Sequence, residues 1–178
     1  PVNLVLIRAP FHDLSSLDYA RGMGDLADFV GMCATSTVLI DQIATLLFQR
    51  GCPQIGVSGI SLGGWVTNLH HAFCGTATDY IPIFAGAALG EMFSSSVYRK
   101  MTGKQARENP HRLRTVLDFE KEYIKYANSS CTPLLARYDR IIQLDVQRGC
   151  YVDVPVTTID KGHVTGALAI STIRNHIQ

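Results

Sequence analysis

Apolar positions along this 178-residue chain fall into two patterns. Short unbroken apolar runs bounded by turn formers predict buried parallel strands. Apolar residues three and four apart predict helices. The first run is residues 2–9 (VNLVLIRA), closed by Pro10, and it predicts a strand. Residues 11–32 have weak periodicity and carry Gly22, Gly24 and Gly31, so they predict a long loop with one helical turn at most. Residues 35–50 place Val38, Ile40, Ile43, Leu46 and Leu47 on one face, and Gly51 supplies a stop. Residues 53–57 predict a strand and 65–73 a helix. Residues 80–85 (YIPIFA) are the next strand, followed by the small-residue stretch 86–90. Residues 92–128 are the most polar third, with helical spacing over 112–126. Strands are then expected at 132–138 and 151–159, with a helix over 141–148 closed by Gly149. A last helix opens at 162–166 and runs to about 177.

This alternation predicts one α/β domain over 1–178, with a mostly parallel sheet flanked by helices and right-handed crossovers. Segment 91–130 is longer than a crossover needs and is a candidate small cap. Composition agrees with a folded domain, because 47% apolar and 17% charged residues exclude disorder. A net charge of +1 gives no electrostatic case for nucleic acid. No run of 18 apolar residues exists, so no membrane span is expected. The five cysteines (Cys33, Cys52, Cys74, Cys131, Cys150) are scattered and show no C-x-x-C. They argue against zinc and for free thiols in a reducing compartment, the cytoplasm.

Between the strand at 53–57 and the helix at 65–73 lies Gly59-Ile60-Ser61-Leu62-Gly63, a Gly-x-Ser-x-Gly with Gly64 following. A sharp strand-to-helix turn lifts one serine hydroxyl above a sheet and sets it at a helix N-terminus. Neighbours of that serine must be small, and Gly59 and Gly63 are expected to fill this need. Ser58 lacks the spacing.

A serine here needs a base, and a histidine needs a carboxylate to fix its tautomer. In such sheets the acid precedes the histidine. Asp139 follows the predicted strand 132–138, and His163 follows the last strand, so both fall at the strand ends that carry Ser61. Asp145 lies inside a predicted helix and Asp160 is three residues from His163. His70 and His71 are on the elbow helix, His111 is in the polar segment, and His12 follows the first strand. His12, Asp13 and Arg21 lie near the mouth of any pocket. The backbone N–H of Leu62 is one candidate oxyanion donor. A His-Gly or Gly-Gly motif for the second is absent before Ser61.

These residues resemble the α/β-hydrolase superfamily. Gly59-Ile60-Ser61-Leu62-Gly63-Gly64 is similar to its nucleophile elbow, Arg137-Tyr138-Asp139 to its acid turn, and Lys161-Gly162-His163 to its histidine turn. With Gly-His-Val following, the pattern looks most like a little-characterised branch of hydrolase-domain proteins. The resemblance implies a Ser61–His163–Asp139 triad that hydrolyses an acyl ester or thioester through an acyl-enzyme, without metal or organic cofactor. Phe11, His12, Leu89 and Met92, with Phe93 and Tyr98, are candidates to line the site of a small-molecule acyl substrate. The first strand resembles the family's fourth, so the third strand and its oxyanion loop have no counterpart here. Three readings follow. An upstream segment supplies that strand, or a partner chain does, as in a homodimer, or residues 2–9 take the central place. In the last case Phe11 or His12 would give the second donor from its backbone, since Pro10 has no N–H. The alternative in another class is a catalytically weak hydrolase-like module that binds a ligand or partner.

Overall fold

The computed structural model describes residues 3–12, 15–127 and 130–178. Helices open it where turn formers predicted a loop. Ser15 caps α1 (Ser16–Gly24) by accepting from the amide of Asp18. Asp25 caps α2 (Leu26–Gln49) by accepting from Ala27 and Asp28. A mid-helix glycine costs about 1 kcal/mol. Packing offsets this here: a Cβ on Gly22 would lie 3.1 Å from the Phe11 ring, and one on Gly24 would lie 3.1 Å from the Met101 carbonyl. The loop predicted over 11–32 is therefore corrected to two helices from Ser16 onward, with Asp13 outside the described residues.

Beyond α2 the chain alternates. Strand β1 (Gly56–Ile60) feeds α3 (Leu62–Phe73), and β2 (Asp79–Ile83) feeds α4 (Leu89–Ser95). A 3₁₀ turn (Val97–Lys100) leads to α5 (Lys104–Glu108), α6 (Pro110–Leu117) and α7 (Glu120–Tyr126). Then come β3 (Leu134–Ala136), α8 (Leu144–Gln147), a 3₁₀ turn (Arg148–Cys150), β4 (Thr157–Ile159), α9 (His163–Ala167) and α10 (Ile170–Ile177). The four strands form one parallel sheet in the order β1-β2-β3-β4.

Several predicted boundaries move for identifiable reasons. The first sheet strand starts at Gly56 because Pro53 has no N–H and the Ile55 amide donates to Thr78 Oγ1. The last shrinks to three residues; Pro155 cannot join a ladder, and Tyr151 is buried with its hydroxyl on the Ala85 carbonyl. The helix at 141–148 shrinks because the amides of Ile141 and Ile142 donate to Asp139. The final helix breaks in two around Leu168 and Ala169.

The largest departure is at the N-terminus. Residues 3–9 join no strand; Leu4 is 80% and Leu6 86% exposed. They do not take the central place in the sheet, which corrects the third reading above. β1 is an edge strand, with only β2 beside it among the described residues.

Side chains alternate across the sheet. Leu135 joins the larger core with Phe29, Met32, Trp65, Tyr80 and Phe93. Leu134 and Ala136 point to a smaller core with Ile83, Phe84 and Ile173 of α10. α2 and α3 cover the larger side. By length and composition α2 could cross a membrane, a possibility the unbroken-run criterion missed. It carries Asp28 and Asp41, and its buried face (Phe29, Met32, Cys33, Ser36, Thr37, Ala44) packs into the fold. In the segment expected to be a cap, Leu113, Phe119 and Tyr123 are buried in the larger core, so it is integral to the domain. All five cysteines are free.

Candidate active site

Ser61 sits between β1 and α3 with φ 55° and ψ −111°. A non-glycine residue there costs about 1–3 kcal/mol, so the surroundings must hold it. They do so from both sides. The Ser61 amide donates to the Ile83 carbonyl (2.9 Å), which extends the β1–β2 ladder to the turn itself. Its carbonyl accepts from the Trp65 amide (3.0 Å), which starts the helix. Two glycines let the backbones interlock. A Cβ on Gly59 would lie 2.4 Å from the Gly63 backbone, and one on Gly64 would lie 2.6 Å from the Ile83 carbonyl oxygen. Gly63 itself faces open space. The small-residue requirement thus falls on Gly59 and Gly64, correcting the expectation for Gly63.

From the C-terminal end of β3 the chain turns at Asp139, and from β4 it turns at His163. Asp139 Oδ2 lies 2.6 Å from His163 Nδ1, and His163 Nε2 lies 2.9 Å from Ser61 Oγ. An ionised carboxylate only accepts, so Nδ1–H donates to Asp139 and Nε2 is left to accept from the serine hydroxyl. Asp139 is buried, and its other oxygen accepts from the amides of Ile141 and Ile142, both at 2.8 Å. Those bonds fix the carboxylate plane. The imidazole is mostly covered, with the Phe84 ring 6.0 Å away. Phe84 is itself held at φ 52° and packs against Gly166, where a Cβ would meet its ring at 2.7 Å.

A buried polar network holds the stretch after β2. Asn68 Nδ2 donates to the Gly86 carbonyl (2.8 Å) and lies 2.7 Å from the Tyr151 hydroxyl, which donates to the Ala85 carbonyl (2.9 Å). Gln147 brackets Ala88, accepting from its amide and donating to its carbonyl. A Cβ on Gly86 would lie 2.3 Å from Gln147 Oε1. Sequence reading passed over Asn68, Phe84, Gln147 and Tyr151. The only signal was the small-residue run 86–90, because small residues mark places where something else comes close.

The remaining candidates lie elsewhere. Ser58 donates to the Ile81 carbonyl, and Asp160 pairs with Arg137 at 2.6 Å. His71 stacks on Tyr80 at 3.9 Å. His111 is exposed on α6, Asp145 lies in α8, and Arg21 pairs with Asp18 at 3.7 Å. Leu89, Met92, Phe93 and Tyr98 are buried core residues, and the Tyr98 hydroxyl donates to the Met23 carbonyl. They are not free to line a substrate cavity, and that expectation is corrected. Leu62 begins α3, where first-turn amides have no intrahelical acceptor. The His12 amide donates to the Ala9 carbonyl (3.2 Å), closing a turn around Phe11 at φ 65°. That use removes His12 as a second oxyanion donor, and Phe11 falls with it, because its candidacy required the N-terminal run to sit in the centre of the sheet.

Asp41, His70 and Cys74 form a separate cluster, with ligand atoms within 4.8 Å of one another. Thr76 Oγ1 already bridges it, donating to Asp41 Oδ1 (2.9 Å) and lying 3.0 Å from His70 Nε2. A metal on Nε2 would put the ring proton on the buried Nδ1, which has no partner. The cluster therefore lacks the outer support of a metal site.

No protein-family model and no curated protein matches the chain. Among solved structures it is similar to a hydrolase from Pseudomonas aeruginosa PA01. The likeness has a TM-score of 0.53 at 10% identity and covers 76% of this chain and 68% of that one. What the two share is the fold, a hydrolase-like α/β architecture with a parallel sheet flanked by helices.

Proposed function

We propose that this chain is a serine hydrolase that cleaves an acyl ester or thioester. The observation that carries this reading is the continuous hydrogen-bonded chain Ser61–His163–Asp139. It joins residues 102 and 24 positions apart at the C-terminal ends of three strands. The hydrolase neighbour supports the general class.

In this reading Ser61 Oγ attacks the acyl carbonyl while His163 Nε2 takes its proton. Asp139 holds the ring by Nδ1–H and stabilises the imidazolium. The Leu62 amide binds the tetrahedral oxyanion; losing such a donor typically costs about 10²–10³ in rate. His163 passes its proton to the leaving oxygen or sulfur, and water then releases the acyl group by the same route in reverse. The chemistry needs no metal or organic cofactor. Five free thiols suit a reducing compartment such as the cytoplasm.

A second reading is favoured by one observation, the open edge of β1 beside the nucleophile. Here the domain reaches activity only when an upstream segment or a partner chain adds a strand to that edge, or it acts as a weakly catalytic binding module. Fluorophosphonate labelling tests both readings. An activated Ser61 gains one phosphonyl adduct by intact mass, and Ser61→Ala gains none. Labelling that rises with protein concentration, alongside a dimer in size exclusion, would favour the partner-chain reading. Absence of labelling in folded monomer and dimer alike would sink the hydrolase reading for this chain.

A further inference from the structure

A cleft of about 750 Å³ lies beside the acid turn, and its lining is strongly basic. Arg99, Lys100, Lys104, Arg107 and Arg140 face it, against one carboxylate, Glu108. The whole chain carries 16 Lys and Arg against 15 Asp and Glu. Nearly a third of its cations therefore gather at one concavity while the molecule stays close to neutral. Glu108 is engaged with Lys104 at 3.8 Å. Arg99, Lys100, Arg107 and Arg140 have no ion-pair partner among the described residues.

The five cations are exposed on an open surface cleft, where like charges repel one another and their summed field attracts an anion. Three of the four unpaired cations are arginines, whose planar forks match the oxygens of a phosphate group. A volume of this size accommodates a small-molecule group. The cleft is also tied to the candidate active site. Arg140 directly follows Asp139, and its carbonyl accepts from the Val97 amide (3.2 Å), which joins one wall of the cleft to the acid turn.

We propose that this cleft binds the phosphate-bearing part of the substrate, an acyl ester or thioester of a phosphorylated alcohol or thiol. This deepens the hydrolase reading and rests on it for the cleavage step. The anion site itself rests only on the cleft. In that step the Ser61 Oγ–acyl bond forms and its proton moves to His163 Nε2. The acyl–oxygen or acyl–sulfur bond breaks, and the phosphate-bearing leaving group takes the proton from His163. Water then attacks the acyl-enzyme, giving the free acid and restoring the Ser61 hydroxyl. Two sources carry this chemistry, a phospholipid headgroup and a soluble phosphorylated thiol carrier.

Two measurements test the proposal. The first is calorimetric titration of Ser61→Ala with inorganic pyrophosphate, alone and combined with Arg99→Ala and Arg107→Ala. Binding that weakens at least ten-fold in the arginine variant is expected. The second is the ratio of kcat/KM for a phosphate-bearing donor to that for a p-nitrophenyl ester of the same acyl length. Acyl-coenzyme A serves as the soluble donor and phosphatidylglycerol vesicles as the lipid one. The ratio for the true source is expected to fall at least ten-fold on removing both arginines. In the parent protein, pyrophosphate should compete with that donor, a readout that needs no variant. A ratio unchanged for both donors, or no pyrophosphate binding by a protein that hydrolyses the neutral ester, would overturn the proposal. Pyrophosphate binding without turnover of any ester would leave the anion site standing and remove the serine chemistry.

Discussion

Two apolar stretches of this chain look alike on paper and end differently. Residues 53–57 lead into a strand whose last residue precedes the turn at Ser61, paired along its length with β2. Residues 3–9 are richer in Leu, Val and Ile, yet they join no sheet and Leu4, Val5 and Leu6 lie exposed. Apolar sequence alone therefore does not make a strand. A strand needs a neighbouring backbone to satisfy its amides and a covered face to bury its side chains. β1 has both, from β2 and α3, whereas the N-terminal run pairs with no strand among the described residues and only its end, at Ala9, packs against the core. The same comparison explains why the turn at Ser61 can hold a costly backbone conformation: both sides of it are hydrogen-bonded and interlocked.

That contrast can be broken from its rigid side first. Gly59→Ala drives a methyl into the Gly63 backbone, so unfolding in urea should show a loss of about 3 kcal/mol. Gly63→Ala enters open space on a helix, where alanine is the better former, and should be neutral or gain up to about 1 kcal/mol. Equal losses would mean that the interlock is not what supports the turn. Next in size is Asn68→Ala. It strands the buried Gly86 carbonyl and removes one of the two partners of the Tyr151 hydroxyl, for an expected loss of about 2 kcal/mol by the same measurement.

The helix behind the turn should also sense pH. Burial lowers the pKa of His70 below its ordinary 6.5, with the nearby Asp41 carboxylate opposing the shift. Below pH 6.5 the unfolded chain then binds a proton that the folded one resists. Stability falls as pH drops through that value and levels off below the folded-state pKa. One group can contribute at most about 1.4 kcal/mol per pH unit. Unfolding at pH 7.5 and 5.5 should show a smaller difference in His70→Gln than in the parent. The smallest effect belongs to the exposed run: Leu6→Asp should leave stability within about 0.5 kcal/mol. A larger loss would show that this segment is covered in solution.

The positions of Ser61, Asp139 and His163 at strand ends, in that order, could be reasoned out because backbone topology constrains them. Parallel strands put all their C-terminal ends on one edge, so residues just after strands share a neighbourhood whatever lies between them. The helices at 11–32 were hidden because Gly22 and Gly24 lower intrinsic propensity, and the compensating contacts come from Phe11 and Met101. The buried polar clamp was equally hidden. Asn68 and Tyr151 are 83 residues apart, and nothing local marks them as partners.

Sequence by itself therefore determined the α/β alternation, the strand-to-helix turn at Ser61 and the three residues placed at the ends of strands, because these follow from periodicity, turn chemistry and strand direction. Tertiary structure alone decided which glycines interlock, that β1 lies at an edge, that Leu89 and Met92 are core, and that five cations share one cleft. Each of these depends on contacts between residues distant in the chain, whose strength is set by packing and burial that no local pattern encodes.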